Sequence, residues 1–171
     1  MRNPQELVSR MQDFCGFLAG LGGVQAEVLL APMAEDKWSM QETIAHIMAY
    51  DESFLQTAVL PIEDGRQPHI PDEADNQSFN ERAAALGRKL TKAELLEKAT
   101  HARRQLVDHL QGLPAEAFRT KPEGRADADM AELLYRDFVS HDRSHVERMQ
   151  SYLESRGYND LTGGAPPSDR Q

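Results

Sequence analysis

The chain has 171 residues, 40% of them hydrophobic and 27% charged, which is typical of one globular domain with its own core. Its net charge of -9, with lysines and arginines scattered among acids, excludes the basic face that nucleic acid requires. No apolar run approaches the roughly 18–20 residues of a membrane span, the first residues show no signal-peptide pattern, and a single cysteine excludes an internal disulfide. We therefore expect a cytoplasmic protein without nucleic-acid or membrane partners.

The first predicted helix begins at Asn3, which can cap it, with Pro4 in the first turn. Apolar residues then recur at spacings of three and four, as on one face of a helix, as far as Leu21. The pair Gly22-Gly23 favours an end to the helix, because glycine readily adopts the left-handed conformation. Cys15 lies beside the apolar stripe, and we interpret it as a small buried residue.

The second predicted helix starts with a capping box formed by Ser39 and Glu42, preceded by the hydrophobic Trp38. Its apolar residues predict a helix that runs to about Val59. His46 lies within the apolar face of this helix and not on the opposite, polar face. A histidine at such a position is expected to be buried.

The stretch from about residue 60 to 77 is rich in proline and acidic residues and is predicted to be a loop. A connection of this length usually crosses the fold or covers a site, and it allows two successive helices of a bundle to be non-neighbours. His69 within it is expected to face solvent. A short helix is predicted from Ser78 to Leu86, ending near Gly87.

Another capping box, formed by Thr91 and Glu94, begins the next long helix, which is predicted to end near Gln111. This helix carries His101 and His109, two turns apart and too distant along the axis to share a metal ion. Their polar neighbours predict that both histidines are largely solvated.

The final helix is predicted from Asp129, the last capping signal, to Arg156, with Gly157 as its C-terminal stop. Its apolar stripe includes two histidines among the core positions, and the stripe is Leu134, Phe138, His141, His145, Met149 and Tyr152. Residues 1–158 are thus predicted to form an all-α domain, and the polar, Gly/Pro-rich residues 159–171 a disordered tail.

His141 and His145, spaced i and i+4, lie on one helical face with Cβ atoms about 5–6 Å apart, close enough to bind one metal ion. His46 occupies the core face of another helix. Burying three imidazoles is costly unless each is hydrogen-bonded or ligates a metal. The three histidines therefore predict a divalent-metal site, and their number leaves one coordination position open, as in catalytic sites.

Such an ion can lower the pKa of bound water toward about 7, or bind the thiolate of a substrate. The sequence leaves both chemistries open. For the hydrolytic reaction, Asp142 and Glu42 are the candidate proton acceptors and thus the candidate catalytic residues. Asp51, Asp137 and Asp142 are possible hydrogen-bond partners for the imidazole N–H groups.

Two patterns together carry a family resemblance: Trp38-Ser39-x-x-Glu42-x-x-x-His46 at the start of the second helix, and His141-x-x-x-His145 in the last. In order and placement they resemble the DinB/YfiT-like superfamily over roughly residues 5 to 155. The resemblance implies a four-helix bundle of up-down-down-up topology, in which the three histidines hold zinc or nickel. It also implies a bacterial protein that forms a homodimer.

Characterised members of that superfamily include transferases and isomerases that use low-molecular-weight thiols such as bacillithiol and mycothiol, and others are regarded as metal-dependent hydrolases. The resemblance thus favours a metal-dependent enzyme that activates such a thiol for transfer to a small electrophile. The alternatives are a hydrolase that uses metal-bound hydroxide and a non-catalytic, stress-related binding protein. The sequence does not choose the thiol, the electrophile or the metal.

Overall fold

The computed structural model describes residues 2–71 and 76–161, and every regular element within these ranges is helical. The α-helices are α1 (Pro4–Met11), α2 (Asp13–Gly20), α3 (Ala26–Leu30), α4 (Met40–Phe54), α5 (Leu60–Glu63), α6 (Asn76–Lys89), α7 (Lys92–Gly112), α8 (Met130–Leu133) and α9 (His141–Ser155). Short 3-10 turns lie at Leu21–Gly23 and Ala115–Arg119, and π-helical turns at Leu55–Val59 and Leu134–Ser140. The predicted all-α class is confirmed for these ranges, and no helix in them is long and apolar enough to cross a membrane.

The predicted helix starts are present in the structure. The Ser39 hydroxyl accepts a hydrogen bond from the backbone N–H of Glu42, whose carboxylate accepts one from the N–H of Ser39. Thr91 and Glu94 form the same reciprocal pair at the start of α7. Asn3 caps α1 with its side-chain oxygen. Each cap satisfies a backbone N–H of the first turn that has no partner within the helix.

The first predicted helix is interrupted at Gln12, which separates α1 from α2. The backbone N–H of Cys15 donates to the carbonyl of Gln12 at 2.9 Å. This bond spans three residues, as in a 3-10 helix, where an α-helical bond spans four. The carbonyl of Met11 instead accepts a hydrogen bond from the guanidinium of Arg103 at 3.0 Å. A contact from a distant helix therefore replaces a local one, and no local pattern of residues indicates this break.

The predicted loop from 60 to 77 is shorter in the structure. The chain stays helical after α4 through the π-helical turn Leu55–Val59 and α5. Pro61 does not end the helix although it has no N–H to donate, and the carbonyl of Thr57, four residues earlier, accepts a hydrogen bond from the backbone N–H of His69 at 2.9 Å instead. The described part of the loop is residues 64–71, α6 already includes Asn76, and residues 72–75 lie outside the described residues.

The short helix predicted to end near Gly87 is also longer, because Gly87 lies inside α6. A Cβ atom at Gly87 would lie 2.7 Å from the Cβ of Ala45 and 3.0 Å from the carbonyl oxygen of Gln41. The glycine thus permits the backbone of α6 to approach α4 closely, and it does not act as a helix stop.

Helix α4 lies at the centre of the packing and contacts α6, α7 and α9. Two apolar clusters form the core. One includes Phe54, Leu106 and Phe138, and the other includes Phe14, Ile44 and Met149. Both clusters draw on the N-terminal helices, on α4, on α7 and on the C-terminal helical stretch, so these four stretches share one interior.

The C-terminal helical stretch begins as predicted, with the Asp129 side chain accepting a hydrogen bond from the backbone N–H of Glu132 at 2.9 Å. It continues through α8, the π-helical turn Leu134–Ser140 and α9. Beyond α9, Leu161 packs against the second apolar cluster, and the rest of the predicted tail, from residue 162, lies outside the described residues.

Candidate metal centre

His46 lies two turns into α4, the helix that begins with the capping box at Ser39, and it is one of the buried residues of this helix. Its side chain is almost completely buried. The indole of Trp38, the residue before the cap, packs on the imidazole with 5.5 Å between ring centroids. The Nδ1 atom of His46 forms no hydrogen bond of normal geometry among the described residues, and Asn80 of α6 is a polar side chain near enough to interact with the ring.

His141 and His145 are on the first turns of α9, directly after the π-helical turn Leu134–Ser140. Their rings meet edge to face with centroids 4.4 Å apart, and each lies within 5.5 Å of the His46 ring. π-Helical turns occur frequently at functional sites. Here the turn ends where the paired histidines begin.

The Nε2 atoms of the three histidines converge on one point. His141 Nε2 is 3.5 Å from His46 Nε2 and 3.0 Å from His145 Nε2. One nitrogen from each ring lies within 4.8 Å of the other two. Nitrogens bound at 2.0–2.1 Å to a tetrahedral zinc ion are roughly 3.3 Å apart. The two separations that involve His141 bracket this value, and the nitrogens of His46 and His145 lie within 4.8 Å, so the three rings are close enough to share one ion.

The ionisation of the rings suits a metal site. Burial, and then the neighbouring His141, lower the pKa of His46 to about 4. Burial and the same neighbour lower the pKa of His145 to about 3. Both imidazoles are therefore neutral at pH 7, and a neutral imidazole offers the lone pair that a metal ion needs.

The site reaches solvent at His141. The side chain of His141 is 37% exposed, whereas His46 is buried. The cluster that the described residues bring together consists of the three histidines without a carboxylate or a thiol. Three neutral nitrogen ligands are typical of catalytic zinc sites, in which a further position takes water or substrate.

Glu42, one candidate proton acceptor, is engaged at the start of α4. One carboxylate oxygen accepts the N–H of Ser39 and the other accepts a hydrogen bond from Arg88. These contacts, which outweigh the cost of partial burial, lower the pKa of Glu42. Its carboxylate is thus occupied by the cap and by an ion pair.

Asp142, the other candidate, is buried and pairs with Arg103 at 2.7 Å. Its second oxygen lies 3.8 Å from Nδ1 of His141. Of the other two proposed partners, Asp51 binds Arg103, and Asp137 accepts hydrogen bonds from Tyr50 and Arg125. We call His46, His141 and His145 the triad. Asp142 is the one of these carboxylates that contacts a histidine of the triad.

Arg103 is the residue of this region that the sequence analysis missed. In the sequence it is one of the polar neighbours that predict solvated positions for His101 and His109, yet Arg103 itself is fully buried. Its guanidinium lies between the rings of Phe14 and Phe138, at 4.9 and 5.7 Å from their centroids. One signal was available: Arg103 continues the apolar stripe of α7 between Ala99 and Leu106, at helical spacings of four and three.

The remaining histidines lie outside the triad. His69 and His101 are exposed, which confirms both predictions. His109 is half-buried, and its Nδ1 atom is 2.8 Å from a carboxylate oxygen of Glu63. None of the three has a nitrogen in the cluster formed by the described residues.

Fold and site together define an all-helical protein with a candidate site for one divalent cation. The family model of the DinB superfamily matches residues 11–149, a range that contains all three histidines of the triad. The chain belongs to the DinB superfamily, and the resemblance seen in the sequence is confirmed. In the same comparisons, no curated protein and no solved structure matches the chain.

Proposed function

We propose that this protein is a divalent-metal-dependent enzyme that activates a low-molecular-weight thiol for transfer to a small electrophile. The observation that carries the proposal is the convergence of three Nε2 atoms at spacings suited to one ion. His46, His141 and His145 are the proposed ligands. Zinc and nickel are the proposed ions, because imidazole nitrogen suits both.

When bound, the ion would supply a Lewis acid that lowers the pKa of a thiol or of water at its remaining position. The packed side chains around the site, among them Trp38, would keep the imidazoles oriented toward the ion and would exclude water on the side of the buried His46. In the proposed reaction the S–H proton passes to solvent, and the sulfur electron pair forms the new bond to the electrophilic carbon. The group that leaves the carbon departs with the electron pair of the bond that breaks.

A thiol is favoured over water as the nucleophile by the engagement of both candidate bases. Glu42 is held by Ser39 and Arg88, and Asp142 by Arg103. Hydrolysis is helped by a base that removes a proton from attacking water, whereas a thiol loses its proton more readily. We therefore place thiol transfer first and hydrolysis second.

We also propose the four-helix bundle of up-down-down-up topology for this chain. The supporting observation is that α4 packs on α7 and α9, while α1 and α2 both pack on α7. The described loop residues 64–71 and α6 would belong to the crossover between the second and third long helical stretches. A bacterial, cytoplasmic homodimer completes the proposal, and it rests on the family alone.

The test is thiol-dependent consumption of electrophiles by the purified, metal-loaded protein. A panel of small thiols is combined with alkylating and epoxide electrophiles, and product is measured by mass spectrometry. We expect product above the uncatalysed rate with at least one thiol, and none with His46→Ala. Fully metal-loaded protein that consumes no electrophile but cleaves ester or amide substrates would replace the proposal with hydrolysis. Activity in neither assay would favour a binding protein.

A further inference from the structure

Arg103 is more heavily anchored than a packing role requires. Its Nε and Nη2 atoms donate to the two oxygens of Asp51 at 2.9 and 2.8 Å, and Nη1 donates to Asp142 at 2.7 Å and to the carbonyl of Met11 at 3.0 Å. These contacts join α1, α4, α7 and α9 at one guanidinium. The arginine therefore has a single, fixed orientation.

The second carboxylate needs an explanation. Asp51 alone forms a two-pronged pair with Arg103 that balances its charge. Adding Asp142 buries another negative charge, and desolvating a charge is costly. A purely structural ion pair gains little from this addition, and Asp142 has a further contact.

That contact is with the triad. Asp142 uses Oδ2 for Arg103, and its Oδ1 lies 3.8 Å from Nδ1 of His141. The opposite nitrogen of the same ring, Nε2, faces His46 and His145. His141 thus directs one nitrogen to the proposed ligand cluster and the other to the anchored carboxylate.

A histidine that binds a metal through Nε2 carries its proton on Nδ1. Such an N–H is commonly donated to a carboxylate, which fixes the tautomer and the angle of the ring. At 3.8 Å the atoms are beyond hydrogen-bond distance, and a movement of about 1 Å would bring them within it. Asp142 is the acceptor in place for this proton.

We infer that Arg103 is a positioning residue of the metal centre, which holds Asp142 so that its carboxylate orients His141. The inference rests on the proposed metal site and adds a residue that touches neither the ion nor the substrate. Asp51 secures the opposite side of the guanidinium. In this arrangement a residue on α7 determines how well a ligand on α9 binds metal.

The experiment measures zinc affinity by competition with a chromophoric chelator, for the wild-type protein and for Asp142→Asn, Arg103→Lys and the double variant. Asp142→Asn keeps the size of the side chain and removes its charge. Arg103→Lys keeps the positive charge and loses the planar guanidinium, whose N–H groups bind both aspartates at once. The matched control is Arg125→Lys, which alters a half-buried arginine that pairs with Asp137 and not with Asp142. Urea unfolding with excess chelator identifies the variants that fold.

We expect Asp142→Asn and Arg103→Lys each to weaken zinc binding by about 10–100-fold, as is usual for partners of metal-binding histidines. The double variant should bind zinc no more weakly than the single variant of lower affinity, because both changes act through the position of the Asp142 carboxylate. Arg125→Lys should stay within about twofold of the wild type, the scatter of independent sites.

Losses that multiply in the double variant would overturn the inference, because Arg103 would then act independently of Asp142. A folded Asp142→Asn with wild-type zinc affinity would overturn it as well, and this variant decides the matter even if Arg103→Lys does not fold. In that case wild-type zinc binding leaves the proposed function intact. A wild-type protein that binds neither zinc nor nickel would overturn both.

Discussion

The close packing of α6 on α4 predicts that one added methyl group at Gly87 destabilises the protein. A Cβ atom there would lie 2.7 Å from the Cβ of Ala45, closer than real Cβ contacts, and 3.0 Å from the carbonyl of Gln41. Neither neighbour can rotate away, because one is fixed to the backbone and the other belongs to it. Gly87→Ala must therefore move α6 away from α4.

The size of the effect follows from two opposing contributions. Inserting a methyl group into a packed interface costs about 1–3 kcal/mol in the free energy of unfolding. Replacing a mid-helix glycine by alanine recovers roughly 0.5–1 kcal/mol. Gly16 of α2 supplies the control, since a Cβ there would meet no atom within 4 Å. The difference between the two variants isolates the packing cost of about 1–3 kcal/mol.

Urea unfolding followed by circular dichroism, with chelator present, measures both variants. We expect Gly16→Ala to raise the free energy of unfolding. The free energy of unfolding of Gly87→Ala should be about 1–3 kcal/mol lower than that of Gly16→Ala. If Gly87→Ala stabilises the protein as much as Gly16→Ala does, the helices are not in direct backbone contact and the packing described for them is wrong.

Three further substitutions test other parts of the fold by the same unfolding assay. Asp51→Ala leaves two donors of the buried Arg103, Nε and Nη2, without their acceptors and should cost about 3–5 kcal/mol, and a loss below 1 kcal/mol would contradict the buried ion pair. Ser39→Ala removes the cap of α4 and should cost about 1 kcal/mol, and an unchanged stability would show that the cap contributes nothing. Phe138→Ala empties a fully buried ring site and should cost about 3–5 kcal/mol, and a much smaller loss would mean that the ring is not in the core.

Features that depend on neighbours in the sequence were predictable. The caps at Ser39 and Thr91 use contacts three residues apart, and the structure has both. The pair His141 and His145 follows from helical spacing, and the placement of His46 on an apolar face indicated that it would meet them. The all-α class follows from the same periodicity.

Features that depend on distant contacts were not predictable. The break at Gln12 reflects the hydrogen bond from Arg103, which lies on another helix. The burial of Arg103 requires two aspartates from two further helices, which no window of sequence brings together. A glycine near the end of an apolar pattern predicts a helix stop, whereas Gly87 permits close packing of α6 on α4.

Three histidines from α4 and α9 are proposed to hold one divalent ion. This is tested by elemental analysis of the wild type, His46→Ala and His101→Ala after loading with zinc and removal of excess metal. His101 is the control because it is exposed and lies outside the triad. We predict one zinc per chain for the wild type and for His101→Ala, and loss of zinc from His46→Ala. A His46→Ala protein that retains one zinc per chain with unchanged affinity would contradict the claim.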